Sequence, residues 1–94
     1  MTAYVIGHIR VREPVIWQEY VSQVGATITS HGGEVLFRGV KAAELNGAMD
    51  AERVVTLRFA DIEAARRWHE SLDYQKLIPV RDAGAEVTLV MYQD

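Results

Sequence analysis

Six side chains in this sequence are of types that could do chemistry at a shared site: His8, Tyr20, Arg38, Trp68, Tyr74 and Arg81. His8 titrates near neutrality and suits a general base. In the middle of a strand-like run it equally suits a subunit face, hydrogen-bonded across a two-fold axis. Arg38 ends an apolar run just before a glycine, where its guanidinium could hold a carboxylate through two parallel hydrogen bonds. The alternative is a surface ion pair with Glu44 or Glu52. Arg81 has the same two readings, with Asp73 and Asp82 as the nearby acids. Tyr74 could donate its phenol proton to a substrate oxygen, or pack its ring under a helix end and keep the hydroxyl at the surface. Tyr20 and Trp68 recur at helical spacing, which places them either in the core or on the wall of a cavity. The chemistry this set allows is acid–base work and the binding of a carboxylate. The alternative is a non-catalytic site that binds such a ligand.

The composition narrows the field. The chain has 94 residues, 49% of them hydrophobic and 24% charged, which fits one α+β domain over residues 1–94. There is no cysteine, so disulfides, thiolate chemistry and cysteine-based metal sites are excluded. His8, His31 and His69 are far apart, and none has a second ligand at metal-binding spacing, so no metal or cofactor is expected. Gly32-Gly33 follows a helical pattern instead of preceding one, the wrong order for a phosphate cradle. The net charge of −3, without any basic cluster, argues against nucleic acid as a partner. No run approaches the ~20 apolar residues of a membrane span, and a cytoplasmic location is expected.

The elements that must position these residues follow from periodicity and punctuation. Tyr4–Val11 alternates like a strand, with Val5, Ile9 and Val11 as its apolar set. Pro14 suits the first position of a helix whose stripe is Ile16, Trp17, Tyr20, Val21, Val24 and Ile28, stopped by Gly32-Gly33. Glu34–Arg38 and Arg53–Phe59 read as strands, joined by a polar connection. Asp61 is the expected cap of a second helix, with Ile62, Ala65, Trp68 and Leu72 facing inward. Tyr74–Ile78 is expected to add one short turn that Pro79 breaks, and Ala85–Tyr92 to form the last strand. Val5, Ile9, Trp17, Val21, Val24, Leu36, Val55, Leu57, Trp68 and Leu89 are the expected core.

The order βαββαβ, with right-handed crossovers, predicts a ferredoxin-like fold: a four-stranded antiparallel sheet with two helices on one face. The other face is too apolar to stay wet, and a second copy of the same sheet is its economical cover. The expected partner is therefore the chain itself, as a homodimer through the sheet face.

An ordered set of residues also resembles a known family. It runs from Glu13-Pro14 and Tyr20 through Gly32-Gly33, Arg38-Gly39, Glu44-Leu45 and Gly47 to Arg53-Val54-Val55 and Phe59. It continues with Ala64-Ala65, Trp68, Ser71, Tyr74-Gln75, Pro79 and Arg81. In this the chain resembles the small bacterial proteins grouped as the domain of unknown function 1330 family. The resemblance implies a dimeric α/β barrel, in which two four-stranded sheets face each other and each subunit's pocket lies between its sheet and its own helices. Assemblies of that shape include cofactor-independent monooxygenases, so the resemblance implies a scaffold on which the six residues have to be placed individually.

Overall fold

Glycine and proline set the element boundaries of this chain. The computed structural model describes residues 1–94. Its order is β1 (Ala3–Val11), α1 (Pro14–Ser30), β2 (Glu34–Val40), β3 (Arg53–Phe59), α2 (Ile62–Glu70), α3 (Leu72–Gln75), α4 (Ile78–Gly84) and β4 (Ala85–Gln93). Pro14 occupies the first turn of α1, where a missing N–H costs nothing. At the other end the Gly33 N–H donates to the Ile28 carbonyl (2.9 Å) and that of Gly32 to the Thr29 carbonyl (3.0 Å). Gly32 has φ +74°, the left-handed conformation this ending requires. Asp61 caps α2 by accepting the Ala64 N–H at 2.8 Å.

The strands form one antiparallel sheet in the order β2-β3-β1-β4. This is the expected ferredoxin-like arrangement. Alternation divides each strand between two faces. Ala3, Val5 and Ile9 of β1, with Leu57 and Phe59 of β3, join Trp17, Tyr20, Val24, Ile28 and Trp68 in the buried core beneath the helices. The outer face carries Tyr4, Ile6 and His8 of β1, which sit in register with Arg58, Thr56 and Val54 of β3. They also sit in register with Tyr92, Val90 and Thr88 of β4.

Three expectations are corrected. Leu36 is 44% exposed, because a register shift between Val35 and Phe37 drops it out of the alternation. Leu72 is 86% exposed, because α2 ends at Glu70 and Ser71 starts a new turn by accepting the Tyr74 N–H (3.2 Å). Pro79 does not end a turn but lies in the first turn of α4. The helical layer therefore holds α3 and α4 in addition to the two expected helices. Helix α4 matters for the site: its Gly84 carbonyl accepts the N–H groups of Arg12 (2.9 Å) and Glu13 (3.0 Å), which pins the start of α1.

Candidate functional site

A cavity of about 310 Å³ lies between the helix-side face of the sheet and α1. Its floor exists because of a missing side chain. A Cβ on Gly7 would lie 2.9 Å from Val55 Cγ1 and 3.0 Å from Leu89 Cδ2, so both side chains close over the glycine and line the cavity. Trp17, Tyr20, Val21 and Val24 of α1 form the roof, and Trp68 of α2 forms an inner wall. The indole N–H of Trp68 donates to Thr27 Oγ1 (3.0 Å), whose own hydroxyl donates to the Val24 carbonyl (2.7 Å). With that donor occupied, Trp68 offers the cavity an apolar ring. The lining is otherwise hydrophobic except for Gln18, Arg38, Gly39 and Arg53.

Arg38 and Arg53 give the site its charge. Arg38 lies opposite Val55 in the β2–β3 register, and Arg53 lies opposite Val40 on the same face. Both are exposed side chains that line the cavity. Neither has a carboxylate within 4.0 Å. The two acids expected to neutralise Arg38 are committed elsewhere. Glu44 pairs with Lys41 at 2.6 Å, which holds its carboxyl below the usual range. Glu52 accepts the Val11 N–H at 3.0 Å, and this bond holds its carboxyl low as well.

Tyr74 and Arg81 are drawn together by Tyr20, but away from the cavity. The hydroxyls of Tyr20 and Tyr74 are 2.9 Å apart. Arg81 donates from Nη1 to the Tyr74 hydroxyl (3.0 Å) and from Nε to Asp82 Oδ1 (2.9 Å). Tyr74 is completely buried and does not line the cavity. Burial, reinforced by Tyr74, pushes the Tyr20 phenol far above its ordinary range, so it stays protonated. Burial works against the charge of Arg81, but the bonds to Asp82 and Tyr74 outweigh it and hold the guanidinium above its usual value. These groups form a polar strut between α1, α3 and α4, with their hydrogen-bonding capacity turned toward one another.

Tyr20, Arg38 and Trp68 therefore meet at the cavity, Tyr74 and Arg81 support it from behind, and His8 is on the opposite face of the sheet. Its neighbours there are Val54 and Thr88. No three His, Cys, Asp or Glu side chains gather in a metal-binding cluster. Arg53 and Gln18 were missed from sequence. Arg53 belongs to the same alternate set as Val55, Leu57 and Phe59, and that period of two was its available signal. Gln18 lies three residues before Val21 on the roof helix.

Sheet order, helical cover and an apolar helix–sheet cavity define a ferredoxin-like α+β protein. The chain belongs to the family described as domain of unknown function (DUF1330), whose profile matches residues 2–94. A protein of unknown function from Rhodopseudomonas palustris has the same fold, with a TM-score of 0.84 at 16% identity over 99% of this chain and 82% of that one. A dabb family protein with a ferredoxin-like fold from Mesorhizobium loti superposes with a TM-score of 0.76 at 10% identity, covering 99% and 96% of the two chains. SnoaB from Streptomyces nogalater, a cofactor-independent oxygenase, gives 0.69 at 12% identity, covering 99% and 92%. No curated protein matches the chain. No helix is long and apolar enough to cross a membrane.

Proposed function

We propose that this chain binds a small organic acid with an apolar, flat body in the helix–sheet cavity. The observation that carries the reading is an unpaired arginine, Arg38, on an otherwise hydrophobic cavity large enough for such a body. The hydrophobic wall would favour the body by roughly 25 cal/mol per Å² of apolar surface buried. The arginine selects the acid, since a guanidinium and a carboxylate match in two parallel hydrogen bonds. Isothermal titration with 2-naphthoate and its neutral amide tests this. The acid should bind at least tenfold more tightly than the amide, and Arg38→Ala should erase the difference. Equal binding of the two, or binding of neither, contradicts the reading.

The working unit we infer is a homodimer that covers the outer sheet face with its own copy. That face displays Tyr4, Ile6 and Val54 together with Phe37 (57% exposed), Val90 (38%) and Tyr92 (52%). Exposed apolar side chains gathered on one sheet face, rimmed by polar ones, suit an interaction surface.

A second reading adds turnover without metal or bound cofactor. The shared fold with SnoaB favours it, as does a cavity wall of aromatic rings that would exclude water from a bound aromatic compound. Oxygen uptake matched to loss of 1-hydroxy-2-naphthoate would support it. Binding of that compound without consumption of oxygen would leave the chain as a ligand-binding protein.

A further inference from the structure

We infer that Arg38 and Arg53 act as a pair and that the acid in this cavity is a dicarboxylate, its two carboxyl groups on neighbouring carbons of an apolar body. The inference rests on the acid-binding reading above and specifies its substrate class. Arg38 pairs with Val55 across the β2–β3 ladder, and Arg53 is two residues before Val55 on the same face. Residues so placed are diagonal neighbours, with their Cα atoms roughly 7–8 Å apart, within reach of long side chains. Two like charges in that position repel, and a bound dianion would relieve both. Here the net charge is −3 and acidic side chains outnumber basic ones, 13 to 10, yet neither arginine has a carboxylate within 4.0 Å. Glu52 feels the charge of Arg53, but its Oε1 is engaged by the Val11 N–H and it makes no ion pair with either arginine, while Glu44 is held by Lys41.

The separation decides between one carboxylate and two. A single carboxylate satisfies one guanidinium fork through both its oxygens and leaves the second arginine uncompensated. Two vicinal carboxylates offer one fork each, with the hydrocarbon body continuing toward Trp68 and Leu89. Gln18 adds a neutral amide at the same cavity, able to donate to a carboxylate oxygen and to accept from a neighbouring hydroxyl.

Isothermal titration of the full chain with naphthalene-2,3-dicarboxylate, 2-naphthoate and 2-naphthyl phosphate tests the inference. The dicarboxylate should bind at least tenfold more tightly than 2-naphthoate. Arg53→Gln should bring it down toward the level of 2-naphthoate, weakening the dicarboxylate at least fivefold more than it weakens 2-naphthoate. Arg53→Lys, which keeps the charge and loses the fork, should fall between. If 2-naphthoate binds and the dicarboxylate binds no better, the arginine pair is refuted and the acid-binding cavity stands. If Arg53→Gln weakens both acids alike, the arginines share one carboxylate and the inference fails. If the phosphate binds tightest, the site is built for phosphate monoesters and the dicarboxylate assignment is overturned. If none binds, the acid-binding reading itself falls.

Discussion

Removing one hydroxyl from the Tyr20–Tyr74 pair should have very different consequences depending on which one is removed. In Tyr20→Phe the chain loses one neutral hydrogen bond, while the Tyr74 oxygen still accepts from Arg81. The expected cost is about 0.5–1.5 kcal/mol. Tyr74→Phe deletes that bond and also the charge-assisted one from Arg81, a contribution of about 1.5–3 kcal/mol. It further leaves the Tyr20 hydroxyl buried without a partner. A total of about 2–5 kcal/mol is expected. The double variant should be no less stable than Tyr74→Phe alone, because the second substitution removes a hydroxyl that has nothing left to bind. Urea unfolding of the four proteins at one protein concentration measures these differences. The affinity of Tyr74→Phe for 2-naphthoate should stay within about twofold, since Tyr74 is not on the cavity wall. Additive losses would show that the two hydroxyls act independently and refute the strut. Loss of ligand binding in Tyr74→Phe, with stability unchanged, would place the phenol at the ligand instead.

Gly84→Ala should destabilise the protein by about 1–3 kcal/mol in the same unfolding assay, because the new Cβ would lie 2.7 Å from the Trp17 nitrogen and 2.9 Å from its Cα, backbone that cannot yield. A change below about 0.5 kcal/mol would contradict the α1–α4 contact. Ile6→Arg, on the outer face, should convert a dimer into a 10.6 kDa monomer by light scattering, and an unchanged dimer mass would refute the sheet-face interface. Burial, and then the nearby charge of Arg81, hold the His69 imidazole below its ordinary value of about 6.5. Below that pH the unfolded chain binds more protons than the folded one. The contribution of His69 is therefore fully present above about pH 6.5 and is lost as pH falls from there through the lower value the imidazole has in the folded chain. His69→Gln should flatten the stability profile on the acid side, and an unaltered profile would dispose of the coupling.

Much of this fold was legible in the sequence because its signals were local. Arg53–Phe59 shows a clean alternation between a polar segment and the Asp61 cap, and the strand has those bounds. Gly32-Gly33 ends α1 by the conformation that only glycine adopts cheaply. What escaped depended on tertiary context. The shift that turns Leu36 outward follows from pairing with β3, not from the residues of β2 themselves. Pro79 can break a helix or open one, and only the packing of α4 on α1 decides which.

The site was legible to the same extent. Trp68 could be placed by its helical stripe, whereas Arg38, expected at the end of a strand, lies inside β2, which runs on to Val40. Tyr74 and Arg81, expected as site residues, bond to each other behind the cavity and do not line it. Their engagement with Tyr20, 54 positions from Tyr74, cannot be read from spacing. His8 belongs to the alternate set of β1 that includes Tyr4 and Ile6, and alternation places it on the outer face once the helix side is known.

Acid binding in the helix–sheet cavity, with Arg38 at the charged wall, can be watched from inside the cavity. The chain has two tryptophans, and both line the cavity, so their indole N–H resonances report on it directly. We would follow them in proton–nitrogen correlation spectra while adding 2-naphthoate to the native protein and to Arg38→Ala. Both indole signals should shift saturably in the native protein, with at least a tenfold weaker response in the variant. Shifts confined to outer-face residues such as Ile6 and Thr88, with both indoles unmoved, would contradict acid binding in the cavity.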